Sequence, residues 1–227
     1  GYQREDMDAW GARSHQLAYQ AQQEGFFDGE ILPVDVPQAD GTVKTVDKDQ
    51  AVRSDATIED MAKLRPAFKK DGTIHAGNAS PLNAGASALV LMDRETAEAK
   101  GIEPLARIVS IGFAGVEPNI MGTGPVPSTL RALKAAGLEA SDIDYWEINE
   151  AFAVVALYAI KELGIDPDKV NVKGGGIAIG HPLGATGGRL VGTLARILKQ
   201  EGGHYGCATM CVGGGQGVAM IIENEAN

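Results

Sequence analysis

The sequence predicts an α/β fold in layers. Three observations carry that expectation. Strand-like and helix-like segments alternate regularly from Pro104 onward, thirty glycines cluster between apolar segments, and the chain is 44% hydrophobic and 22% charged. Glycine, at about 13% of 227 residues, is nearly twice its ordinary usage of about 7%. Placed in clusters, it serves tight turns or close approach of backbone to a ligand or to another element. A chain of this length has room for one large or two small domains.

Each element follows from local pattern. Met7, Trp10, Leu17, Ala18 and Ala21 share one face of an opening helix, with Glu5 and Asp6 at its entry and Gly25 at its stop. Ile31–Val34 reads as a strand, and Asp40-Gly41 turns into the alternating Thr42–Val46 as a hairpin. Thr57 with Asp60 three residues on forms a capping box for a short helix through Leu64. Lys63, Arg65, Lys69 and Lys70 make the one dense basic patch. Residues 76–92 read as a glycine-punctuated turn leading into a buried apolar end, echoing 207–223 as in a duplicated domain.

Beyond Pro104 the expected order is a strand over Leu105–Val116, then a helix over Pro125–Ala136 with Gly137 after it. A strand over Ile143–Ile148 and a helix over Asn149–Leu163 follow, then a strand at Val170–Val172 and a helix over Thr186–Lys199. Strands over His204–Cys211 and Gly217–Glu223 close the chain.

Charge and cysteine usage narrow the functional classes. A net charge of −10 argues against nucleic acid and anionic membranes as partners. No apolar run reaches the roughly 20 residues of a membrane span. Two cysteines, Cys207 and Cys211, are too few for a disulfide framework and match no zinc spacing, which points to a reducing, cytoplasmic setting and no metal. The chain opens inside a helical pattern with neither an initiator methionine nor a signal pattern, as a fragment would.

Three loops carry candidate chemistry. Asn149, in Asn149–Ala153, reads first as a helix cap. The loop from Gly174 to Arg189 holds a lone histidine, His181, among residues stripped of bulk. It lacks the Gly-Lys-Ser/Thr order of a phosphate loop, and its histidine is a candidate acid/base. Cys211 ends a strand and opens onto Gly213-Gly214-Gly215, whose free backbone N–H groups would lower a thiol pKa or hold an oxyanion. Cys207 reads as a buried structural thiol, and His15, His75 and His204 as surface or satisfied histidines.

The trio NEAFA, GGGIAIGHPLGATGGR and CVGGGQG, in that order and spacing, resembles the C-terminal domain of the thiolases. AGNASPLNAGA, MAKLRPAF and MGTGPVP resemble the same family, so the likeness covers essentially the whole chain. It implies a thiolase-like α-β-α fold, with residues 1–98 as the remainder of an N-terminal domain and 99–227 as a C-terminal domain. It implies that His181 deprotonates a nucleophilic cysteine and that Cys211 is the acid/base at the α-carbon of acetyl-CoA. Asn149 would hold a water in one oxyanion hole, and Gly213 would donate its N–H to another. By the same resemblance Ser80 lies along the pantetheine arm of CoA, Met121 and Phe152 line the acyl pocket, and Arg53 and Leu64 lie at the adenine and phosphate end. The implied reaction is reversible thiolysis of 3-ketoacyl-CoA, with CoA thioesters as substrates, no metal or redox cofactor, and a homodimer or homotetramer at full length.

The sequence departs from the family pattern in two ways. The family's nucleophilic cysteine has no counterpart by motif, and Pro81 and Ala84 stand where the family tends to have glycine and aspartate. Two alternatives accompany the thiolase reading. A decarboxylating ketoacyl synthase is disfavoured because that family has histidine or asparagine where Cys211 stands. A non-catalytic CoA- or lipid-binding protein, or one subunit of a split thiolase, is the other.

Overall fold

The computed structural model describes residues 1–225. The chain runs through α1 (Arg4–Gln23), β1 (Val34–Pro37), β2 (Val43–Val46), α2 (Ile58–Ala62) and α3 (Arg94–Lys100). It continues through β3 (Arg107–Gly115), α4 (Pro125–Ala136), β4 (Tyr145–Ile148), α5 (Ala153–Leu163), α6 (Gly176–Ile179), α7 (Thr186–Glu201), β5 (Tyr205–Val212) and β6 (Gln216–Glu223). Short 3₁₀ turns lie between them.

Period-two alternation in the last strands produces the layers. Cys207, Ala219 and Ile221 face one side, where they pack with Ala132 and Leu133 of α4 and with Ala153, Ala156 and Ala159 of α5. Ala208 and Ile222 face the other side, against Leu190, Leu194 and Leu198 of α7. The sheet between them has the order β3–β6–β5–β4, antiparallel except for the parallel pair β4–β5. The Gly112 backbone lies so close to α4 that a Cβ there would sit 2.2 Å from the Ser128 carbonyl oxygen. The layered α/β expectation therefore holds.

Helix signals act where the sequence places them. Thr57 Oγ1 accepts the Asp60 N–H at 3.1 Å, completing the cap of α2. Gly137 adopts the left-handed conformation that ends α4. The β1–β2 hairpin forms three residues later than Ile31, and Asp40 Oδ1 stabilises its turn by accepting the Thr42 N–H at 3.0 Å. An additional helix, α3, is capped by Asp93 and stopped by Gly101.

Three expectations are corrected. Residues 81–93 form no helix or strand, and their apolar end is exposed rather than buried, with Val90 at 85% and Leu91 at 69%. No described strand pairs with this segment, so the expected echo of 207–223 is absent, because 207–223 is a paired hairpin of β5 and β6. Val170–Val172 is reduced to a single bridge between Val170 and Trp146, since Asn171 takes a positive φ of 50° that breaks a strand. The helix expected from Asn149 begins at Ala153, so Asn149 does not cap it.

Candidate active site

The end of β4 turns sharply through residues 149–152 before α5 begins, and this turn organises the site. The Asn149 N–H bonds the Thr209 carbonyl at 2.9 Å, which fixes the turn to β5 two residues before Cys211. Asn149 is fully buried, and its side chain points to the His181 loop rather than to a helix end.

His181 is held from both sides of its ring. Nδ1 lies 2.6 Å from Thr186 Oγ1, and that hydroxyl donates to the Pro182 carbonyl at 3.0 Å. Assigning that hydroxyl proton to the Pro182 carbonyl makes Nδ1–H the donor in the first contact. Nε2 is left as an acceptor. Asn149 Nδ2 lies beside the ring, 3.5 Å from Nδ1 and 3.3 Å from Nε2. The His181 backbone N–H is anchored on Asn83 Oδ1 at 3.0 Å. Partial burial, reinforced by the positive charge of Arg189, lowers the His181 pKa and favours the neutral ring that a proton acceptor requires.

Cys211 packs with Ala151 and Val155, and Phe152 rests on the same cluster. Cys211 as a residue is only 5% exposed, and burial raises its pKa although a backbone hydrogen bond pulls the other way. The expectation that free N–H groups lower this pKa is therefore corrected, because desolvation outweighs them. Cys207 fits its structural reading, fully buried with a pKa pushed up to about 12. Past Cys211, Gly213 is exposed, with no atom within 4 Å of where a Cβ would stand.

Of the two purposes expected for clustered glycines, three in the histidine loop serve close approach to another element, while Gly184 has open space beside it. A Cβ at Gly174 would meet Ala18, one at Gly175 would sit 2.3 Å from the Glu150 carboxyl carbon, and one at Gly180 would meet Asn83. The protein's own side chains occupy that space.

The remaining candidates fall into two groups. Ser80 joins the site, since its N–H bonds the Ala151 carbonyl at 3.0 Å beside a bridge between Ala79 and Phe152. Phe152 packs edge-on against Phe68 at 5.9 Å, and both line a groove of about 500 Å³ with Lys69 and Val154. Met121 is half-buried in a 3₁₀ turn whose Gly122 abuts Val155 of α5. Arg53 is tied instead to α1, its N–H bonding His15 Nδ1 at 3.3 Å, and Leu64 is exposed, with its carbonyl accepting from Arg4 at 2.6 Å. His15 and His75 are both buried and partnered, while His204 pairs with Glu223 at 2.8 Å.

Sequence reasoning missed Thr186, Asn83 and the buried acids Glu147 and Glu150. The first opens α7 five residues after His181, a visible spacing. The acids directly flank Ile148-Asn149, and a charge inside an apolar strand end is the signal that would have found them. Glu147 is wholly buried and paired with Arg189 at 2.6 Å, yet burial still raises its pKa to about 8. Among the described residues no cluster of histidine, cysteine or acidic side chains has metal-binding geometry. No described helix is long and apolar enough to cross a membrane.

Comparison with known proteins identifies the family. Residues 1–95 match the family model described as thiolase, N-terminal domain, and residues 102–224 match thiolase, C-terminal domain. A 3-ketoacyl-CoA thiolase of Marinobacter nauticus is 50% identical over 227 residues, covering 98% of this chain and 58% of the relative. An acetyl-CoA acetyltransferase of Shinella zoogloeoides is 51% identical over 221 residues, covering 97% of this chain and 56% of the relative. The crystal structure of the Bacillus anthracis acetyl-CoA acetyltransferase superposes with a TM-score of 0.95 at 47% identity, over 98% of this chain and 56% of that one. Human mitochondrial 3-ketoacyl-CoA thiolase in complex with CoA gives 0.89 at 41% identity, over 98% and 55%. The chain thus spans little more than half the length of the relatives it matches.

Proposed function

The chain belongs to the thiolase family, and from that premise we propose that it supplies the proton-transfer half of an acyl-CoA:acetyl-CoA C-acyltransferase site. The whole protein would interconvert a 3-ketoacyl-CoA plus CoA with acetyl-CoA and a shortened acyl-CoA. The observation that supports this reading is the 2.6 Å contact between His181 Nδ1 and Thr186 Oγ1, which, with the ring proton on Nδ1, leaves Nε2 as the base. Nε2 takes the proton of the thiol that attacks the thioester or ketone carbonyl. That thiol is assigned to the whole protein. Cys207 is sealed in the sheet, and Cys211 is assigned to proton transfer at the α-carbon, where a raised pKa keeps a proton available for the leaving carbanion.

The second amide hydrogen of Asn149 holds a water against one developing oxyanion, and the open Gly213 N–H meets the other. The groove bounded by Phe68 and Phe152 accepts the acyl or pantetheine chain, and Ser80 lies beside it. Arg53, Leu64 and the basic stretch after Leu64 are assigned to the nucleotide end of CoA. The chemistry asks for no metal or redox cofactor.

The test is made in the whole protein, with radiolabelled acyl-CoA and acid trapping of the acyl-enzyme. Cys211→Ala is expected to acylate normally while condensation with acetyl-CoA falls by about 10²–10⁴, the usual range for a general acid–base group. His181→Ala is expected to lose acylation itself. The opposite pattern would reverse the two assignments.

A further inference from the structure

Glu150 is fully buried, and both of its oxygens are saturated by donors. Oε1 accepts from Trp10 Nε1 at 2.9 Å and from Asn171 Nδ2 at 2.8 Å. Oε2 accepts from Ser14 Oγ at 2.6 Å and from the Ile177 N–H at 3.1 Å. Four donors converging on two oxygens demand an acceptor without a proton of its own, so only the ionised carboxylate fits. The donors come from three separate stretches of chain: α1, the Asn171 turn and the first turn of α6.

This carboxylate links the two segments that carry the reacting side chains. Glu150 follows Asn149 directly, and Ile177 precedes His181 by four residues. Ser14 extends the link, because its Oγ also accepts the Gly175 N–H at 3.1 Å. Asn171 completes it from behind, exchanging side-chain bonds with the Ile148 N–H and carbonyl at 2.8 and 2.9 Å. Gly175 and Gly176 allow the approach. A Cβ on the first would strike the Glu150 carboxyl, and one on the second would stand 3.1 Å from Asn149 Oδ1.

We propose that Glu150 is a positioning residue that fixes the separation between Asn149 and the His181 loop, and so keeps Nε2 of His181 aimed as the proton acceptor. It touches no reacting atom and acts through its two neighbours. The assignment rests on the reading of His181 as the base. Loss of the carboxylate frees the α6 turn from the Asn149 turn, the imidazole leaves its single tautomer, and the rate of proton removal falls with little change in how substrate is held.

The experiment compares Glu150→Gln, Ser14→Ala and a control, Ile222→Ala, whose side chain lies on the opposite face of the sheet. Gln places an N–H₂ group against two of the donors, and Ala removes the hydroxyl that joins Glu150 to Gly175. Imidazole ¹⁵N shifts of His181 report the tautomer, and steady-state kinetics of the whole protein report kcat and KM separately. The expectation for Glu150→Gln is a mixed tautomer, a kcat lowered at least tenfold, and a KM for the CoA thioester within twofold of the parent. Ser14→Ala should move both in the same direction by a smaller factor and decides the matter if Glu150→Gln does not fold. Ile222→Ala should lower the melting temperature with neither change. Unaltered His181 shifts in the folded Glu150 and Ser14 variants, or equal shifts in the control, would overturn the proposal. An inactive parent protein whose His181 shifts still respond would instead sink the acyltransferase reading and leave the positioning role standing.

Discussion

Asn149 Nδ2 stands 3.3 Å from His181 Nε2, although 32 residues separate them in sequence. Thr186 Oγ1 stands 2.6 Å from the other ring nitrogen, Nδ1, and orients the imidazole. Burial and the Arg189 charge add a second effect by lowering the His181 pKa. A group whose pKa is lowered stays neutral to a lower pH, so its service as a base is complete at neutrality and is lost only on acidification. The acidic limb of kcat/KM for the whole protein is therefore expected below pH 6.5, the ordinary histidine value. A limb above that value would contradict the assignment.

Alanine at Gly175 and at Gly213 should have opposite consequences. The first Cβ would fall within 2.3–2.5 Å of the Glu150 carboxyl, a rigid group bonded on all sides. Overpacking of this kind typically costs about 1–3 kcal/mol. The second Cβ meets nothing within 4 Å, so stability should change by less than about 0.5 kcal/mol. Urea melts of both variants measure the difference. Equal losses would show that Gly213 is also a packing glycine.

How far the sequence revealed this site depended on the range of the interaction. Helix ends such as Thr57 and Gly137 were legible because caps and left-handed stops are local, and the alternation of strand-like and helix-like segments after Pro104 announced the layers. The apolar run at Leu89–Met92 misled because a strand is defined by its partner, and none of the described strands pairs with it. The glycines at 174–176 were visible, but their partners Glu150, Ala18 and Asn149 were not. Asn149 looked like a cap because a strand-to-helix junction usually has one. Here four residues intervene, and the turn bonds to Thr209 and Ser80 instead.

The two thiols should separate cleanly under alkylation. Cys207 is fully buried, with its pKa pushed to about 12, so thiolate is negligible below pH 10. Cys211 is also raised by burial but sits at the strand end next to the exposed Gly213 and Gly214. Iodoacetamide on the native protein, followed by peptide mass mapping, should label Cys211 alone, more slowly than a free thiol and faster as pH rises. Equal labelling of Cys207 would mean that the sheet opens on the timescale of the reaction.

The groove lined by Phe68 and Phe152 rests on a turn held from α1. Asp8, in α1, is buried, and its Oδ1 accepts from His75 Nε2 at 2.7 Å and Asn78 Nδ2 at 2.9 Å, while Oδ2 takes Arg4 Nε at 3.3 Å. The turn so held carries Asn78, whose carbonyl accepts the Ala153 N–H at 2.9 Å, and Ala79, which bridges to Phe152. Asp8→Ala leaves two buried donors without an acceptor, a loss of about 1–3 kcal/mol for each. Asp8→Asn keeps one acceptor oxygen for His75 and Asn78 and gives up mainly the part-buried Arg4 contact, so about 1 kcal/mol is expected. Because the turn also anchors the start of α5, hydrogen exchange at the Ala153 amide should accelerate far more in the alanine variant than in the asparagine variant. Equal melting of the two variants, or unchanged protection at Ala153, would show that α5 and the groove hold their place without α1.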